Sequence, residues 1–175
     1  MINLFKFIGF WIVVIVELIG MAFSGNDYSS IPTEVRVQYL LDNQNVYDEI
    51  ADEILDSRDG NSGFVDMEKL DKSIYKKVKH TVNSRAHVTY YDGNPCIKLE
   101  LYGKTNDFGQ CSFLYIEKNN DEVLKRRFFD EIQWDDERNC YVVYNDANYH
   151  ELIQVTDNWY LDQEAFYNDP GFRRK

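Results

Sequence analysis

After Asn83 the hydrophobic period of this chain changes from 3.6 residues to 2. A chain patterned for helices before that point and for strands after it folds as helices laid on an antiparallel sheet, the α+β class. Ahead of the switch, Val37, Leu40, Leu41, Tyr47, Ile50, Ile54 and Leu55 recur at helical spacing. Asp42-Asn43 divides this stretch in two, with Asn43 or Asn45 capping the second piece. Pro32 suits the first helical turn, where a missing N–H costs nothing. Residues 56–63 (DSRDGNSG) are a loop, and Asp66 caps a further helix with the stripe Met67, Leu70, Ile74, Val78 and Thr81 or Val82. Past the switch, residues 87–91, 96–102, 110–118, 128–134, 140–144 and 152–161 read as strands. Asp92-Gly93 is a strong hairpin signal. Ile97, Leu99 and Leu101 face one way and Lys98 and Glu100 the other, so that strand is half-exposed. The strand at 110–118 is apolar on both faces and belongs at the centre of its sheet.

The expected architecture is an N-terminal hydrophobic helix, then two or three helices packed on one face of an antiparallel sheet of five or six strands. A length of 175 residues allows one such domain, over residues 33–167, and a targeting segment besides. Residues 168–175 are expected to fray.

The targeting segment is residues 7–23. Residues 7–16 (FIGFWIVVIV) carry no polar side chain, Glu17 interrupts, and LIGMAF continues the run, behind a short positive leader made by Lys6 and the amino terminus. A soluble helix this apolar all round would need burial on every side. Two outcomes stay open. As an uncleaved anchor, about 17 residues rising about 1.5 Å each span about 25 Å, slightly short of a bilayer core of about 30 Å, with Lys6 snorkelling and Glu17 near one end. As a signal peptide, the helix breaks at Gly20, and Ala22-Phe23-Ser24 offers small residues for cleavage near Ser24, before Gly25. No cysteine closes the run, which excludes a bacterial lipid anchor. Either way residues 25–32 are a tether and the domain beyond them works outside the cytoplasm, held at the cell membrane or secreted.

The net charge of −11, from 30 acidic and 19 basic residues, repels phosphate backbones and anionic membrane surfaces. No nucleic-acid partner is expected, and a basic protein partner fits the charge. Local basic clusters, Lys69, Lys72, Lys76, Lys77, Lys79 and Arg85, then Lys125, Arg126 and Arg127, read as a solvated helix face and a strand edge.

Candidate chemistry is sparse. Residues 56–68 lie between helices like a calcium loop, but placing Gly60 or Gly63 at its glycine position puts Leu55 or Arg58 where the first oxygen ligand belongs. His80, His87 and His150 are isolated and have no metal-ligand spacing. Carboxylate pairs (Asp48-Glu49, Asp52-Glu53, Asp135-Asp136) arise by chance among 30 acids, and a glycosidase pair must be held across a cleft. Nucleophile-elbow, zinc-protease, P-loop and dinucleotide motifs are absent. No catalytic residue, metal or cofactor is therefore assigned. Cys96, Cys111 and Cys140 form no metal spacing; Cys96 and Cys111 open consecutive antiparallel strands, at opposite ends of a hairpin, and three buried thiols are expected.

The aromatic residues are the best positive clue. Tyr90, Tyr102, Tyr115, Tyr144, Trp159 and Tyr160, with Tyr91 and Tyr141, are strand residues, and a sheet face that exposes some of them is a protein-binding surface. The alternative is that the rings merely cover the sheet.

The segments YLLDNQNVYDEIADEIL (39–55), IKLELYG, CSFLYIEK and LIQVTDNWYLDQEAF (152–166), spread over most of residues 35–166, together with the order leader, tether, helices, strands, resemble the short export-directed proteins of bacteria, above all low-GC Gram-positive ones. That resemblance implies export and brings no activity and no site residue with it. The expected function is that of a membrane-anchored, outward-facing, non-catalytic interaction domain. Its alternatives are a secreted inhibitor or immunity-type protein that neutralises a basic partner, and a hydrolase with an unrecognised carboxylate site.

Overall fold

A computed structural model describes residues 31–103, 109–117, 121–128, 131–144 and 148–166. The leader at 7–23, the tether up to residue 30 and the tail from 168 lie outside these, as does the expected N-terminal helix. Helix α1 (Thr33–Asp42) and helix α2 (Gln44–Arg58) are separated at Asn43 alone. Asn43 begins α2, yet its side chain donates to the Tyr39 carbonyl and so finishes α1 instead. Strand β1 (Gly63–Asp66), a 3₁₀ turn (Met67–Lys69) and the short helix α3 (Lys72–Val78) follow. The single long helix expected after Asp66 is broken by a second cap: Asp66 accepts from the Glu68 amide and Asp71 from the Ser73 amide. Competing side-chain caps of this kind end one helix and start another.

Strands β2 (Val82–Tyr91), β3 (Asn94–Leu101) and β4 (Gln110–Ile116) form a meander. Asp92 and Gly93 join β2 to β3 with φ of 51° and 87°, a two-residue turn whose twist matches the strands it connects. Helix α4 (Asp121–Arg127) leads into β5 (Ile132–Asp135), β6 (Cys140–Tyr144), β7 (Asn148–Gln154) and β8 (Trp159–Phe166). All eight strands form one antiparallel sheet in the order β1-β2-β3-β4-β8-β7-β6-β5. The expectation of five or six strands falls short for two reasons: β1 lies where a loop and a helix cap were read, and the stretch read as one strand at 152–161 is split. Thr156 accepts from the amides of Asn158 and Trp159 and turns the chain between β7 and β8. The stretch read as a strand from residue 128 begins only at Ile132; Arg127 ends helix α4 and Phe128 is a turn residue.

Both faces of the sheet are covered, which corrects the expectation of helices on one face only. On the first face Val65, Val88, Ile97, Leu99, Phe113, Trp159 and Leu161 pack against Leu40 of α1, Ile50 and Ile54 of α2, and Val78 of α3. The buried residues of α2, Tyr47, Ile50, Ala51 and Ile54, recur at i, i+3, i+4 and i+7 and form one apolar stripe. On the second face Cys96, Leu114, Ile116, Val143, Leu152 and Tyr160 pack against Val123 and Leu124 of α4 and Phe128 just after it. Strand β4, fourth in the order, is buried on both faces, as its apolar sequence requires. Trp159 ties the layers together: its ring meets Tyr47 edge-on at 5.7 Å, and its indole N–H donates to Asp48 Oδ1 of α2 at 2.7 Å.

Candidate functional site

Among the described residues, buried ionisable groups converge on the second face, beneath the end of α4. His150 of β7 and Asp162 of β8 are joined through Nδ1 and Oδ1 at 2.9 Å, and Arg127, the last residue of α4, reaches Asp162 Oδ2 with Nη2 at 3.8 Å. Glu164 Oε1 lies 3.8 Å from His150 Nε2 and accepts from Asn148 Nδ2 at 2.5 Å. Antiparallel alternation explains the grouping. Asp162 and Glu164 are two apart on β8 and so share a face, His150 is the β7 partner of Glu164, and Ser112 of β4 is the partner of Asp162. The Phe128 ring meets the imidazole edge-on at 5.3 Å, and the Arg127 guanidinium sits 5.3 Å over that same ring.

The electrostatics are those of a closed network. Burial alone would push the Asp162 carboxyl up, but its bond to His150 and the charges of His150, Arg127 and Lys98 together hold it below its ordinary value. Arg127 is likewise penalised by burial, and Cys96, Asp162 and Tyr91 outweigh that and raise it. Burial pushes the Cys96 thiol up, which removes the thiolate character a nucleophile needs. An Asp-oriented imidazole is the geometry of a general base. Here Asp162 is 2% exposed, His150 8% and Glu164 8%, and Nε2 faces Glu164. A depression of about 280 Å³ lies elsewhere, at the ends of β3 and β4, lined by Glu100, Tyr102 and Gln110 among others. Among the described residues no three His, Cys, Asp or Glu side chains are grouped to hold a metal. The three cysteines are buried and none is joined in a disulfide.

A second cluster sits on the first face, beyond the helices. The Arg138 guanidinium bonds the Tyr149 hydroxyl and lies 3.1 Å from Glu151 Oε1 and 3.6 Å from Asp135 Oδ2. The Tyr149 hydroxyl donates to Glu151 at 2.5 Å. Burial, followed by the charges of Glu151 and Asp135, pushes the neighbouring Cys140 thiol up to about 11.

The aromatic residues singled out by the sequence are dispersed. Trp159 is 0% and Tyr160 6% exposed; they are core residues of opposite faces and offer no surface. Tyr90 and Tyr115 are half-buried against the helix-covered core, Tyr115 edge-on to Trp159 at 5.2 Å. Tyr102 and Tyr144 are exposed, but Tyr102 follows the end of β3 while Tyr144 ends β6, its ring tilted over Tyr149 at 4.8 Å. Two further exposed rings are ones that sequence reasoning left out. Phe64 of β1, 68% exposed, stacks on His87 at 4.7 Å. Trp134 of β5, 47% exposed, stands edge-on to Tyr141 at 5.0 Å, its indole N–H donating to Asp136 Oδ1. Both lie on the two outermost strands, and edge position is invisible without the strand order.

Among the described residues no helix is long and apolar enough to cross a membrane; residues 7–23 are not among them. No protein-family model matches the chain, and neither a curated protein nor a solved structure gives a significant match.

Proposed function

We propose that this chain is a protein-interaction domain, held outside the cytoplasm by residues 7–23, whose partner is a basic protein. The observation that carries the reading is Trp134: a large ring, 47% exposed, flanked by the exposed acids Glu131, Asp136 and Glu137. Large rings are over-represented where interfaces draw their energy, and an acidic rim speeds and selects the approach of a cationic partner. The net charge of −11 acts in the same direction over the whole molecule. If residues 7–23 are cleaved, the same surface serves a secreted inhibitor of a basic protein. Crosslinking in intact cells followed by capture of the full chain tests the reading. It expects a basic protein captured by the native chain and lost from the Trp134→Ala variant, with the intact chain in the membrane pellet. Equal capture by both chains, or an uncleaved chain recovered in the cytosol, overturns it.

A further inference from the structure

Strand β5 ends the sheet. It pairs with β6 on one side, from Ile132 opposite Val143 to Asp135 opposite Cys140, and among the described residues no strand pairs with its other side. In an antiparallel ladder, alternate residues of such a strand turn their N–H and C=O outward, and these groups are a template for a further strand. The opposite edge, β1, is guarded. The Arg58 side chain folds over its start, bonding the Asn61 and Ser62 carbonyls at 2.8 and 2.6 Å, and sits so close to Gly63 that a Cβ there would meet Nη2 at 2.7 Å. Among the described hydrogen bonds, none joins a side chain to the backbone of Ile132–Asp135. The nearest cation in sequence, Arg138, is committed to Asp135, Glu151 and Tyr149.

Charge selects the occupant. Glu131 precedes β5, and Asp136 and Glu137 follow it, all three exposed. A second copy of this chain would bring the same acids and the same net charge of −11 to the edge, and like charges placed opposite each other destabilise a strand pair. A strand carrying Lys or Arg meets the opposite condition. Side chains of an added strand alternate between faces, so one apolar position on the α4 side would rest against Trp134 and Tyr141.

We propose that β5 is the docking edge for an extended, basic segment of a partner protein, which adds to the sheet as a ninth strand beside Ile132–Asp135. The proposal rests on the reading of the chain as a binder of a basic protein and names the surface and the mode. The test uses the full chain in detergent and a nine-residue probe of alternating Lys and Val, with one control carrying Pro at the central Val positions and another carrying Glu for Lys. The Lys-Val probe is expected to bind, to slow hydrogen exchange at the outward-facing amides among residues 132–135, and to weaken as salt rises. The Pro control should lose about tenfold or more, because proline removes the donors a ladder needs. The paired substitutions Glu131→Lys and Glu137→Lys, both on exposed positions, should weaken the Lys-Val probe by about tenfold while leaving the fold intact. Equal binding of the Pro control, or protection that falls away from 132–135, overturns the edge and leaves the basic-partner reading standing. No binding of the Lys-Val probe overturns the edge, and the crosslinking capture then judges the broader reading separately. Protection of these amides in the free chain, with a dimer in solution, overturns the choice of occupant.

Discussion

Asp162 is enclosed by His150, Arg127 and the sheet, and its carboxylate is the only anion within reach of the Arg127 guanidinium among the described ion pairs. Replacing it with Asn leaves a buried cation facing a neutral amide, and the cost of breaking such a pair is about 3 kcal/mol. The pH dependence follows from the direction of its shift. Folding lowers its pKa below the ordinary 3.8, so its stabilisation is present above that value and is lost as pH falls through and below it. Urea midpoints measured at pH 7 and pH 3 should show the native chain losing stability over that span. The Asp162→Asn variant should start lower and lack this part of the decline. A second residue-scale prediction concerns tryptophan. Trp134 is open and Trp159 is closed, so in a chain carrying Trp11→Phe, which keeps only these two tryptophans, acrylamide should quench an accessible component of the emission that disappears on adding Trp134→Phe and is unchanged on adding Trp159→Phe. This distinction was not legible in sequence, where both residues sit in strand-like runs. Burial of Trp159 depends on α2 lying over β8, a contact between residues 111 positions apart.

At the scale of elements, the parts set by local chemistry could be read directly. The α1–α2 stripe and its break at Asn43, the Asp92-Gly93 turn and the doubly buried β4 all rest on spacing or on residue types with a fixed backbone preference. The turn gives a test. Gly93 has φ of 87° and open space around its missing Cβ, so Gly93→Ala meets only the backbone penalty, about 1 kcal/mol, readable as a fall in thermal midpoint without a change in the near-UV spectrum. The errors have local causes too. In DEVLKRR, acids fill the first turn and bases the last, the order that the helix dipole favours. Reading the Lys125–Arg127 cluster as a strand edge overlooked that order. With α4 assigned, Arg127 becomes the cation of the buried network. The α3 stripe was regular in sequence, but Asp66 and Asp71 each cap a separate turn, and periodicity does not register capping. The buried network was beyond sequence reasoning for a different reason: His150 and Asp162 meet only once β7 and β8 are known to be two strands in a given register.

For the whole molecule, the seam between β4 and β8 matters most. The sheet consists of two four-stranded meanders, β1–β4 and β5–β8, joined where the last strand inserts beside the fourth. Removing residues 159–166 would therefore strip the middle of the sheet and leave the apolar β4 and its former neighbour β7 as edges, a recognised route to aggregation. A chain truncated before Trp159 is expected to sediment as aggregate and to bind a hydrophobic dye, whereas one ending after Phe166 should remain monodisperse. The order of synthesis adds a consequence. Of the eight strands the one made last lies inside the sheet, and Ser112 must wait for Asp162 to arrive. Until then the two halves have no common seam, and each must hold its own strands together while the gap between β4 and β7 stays open.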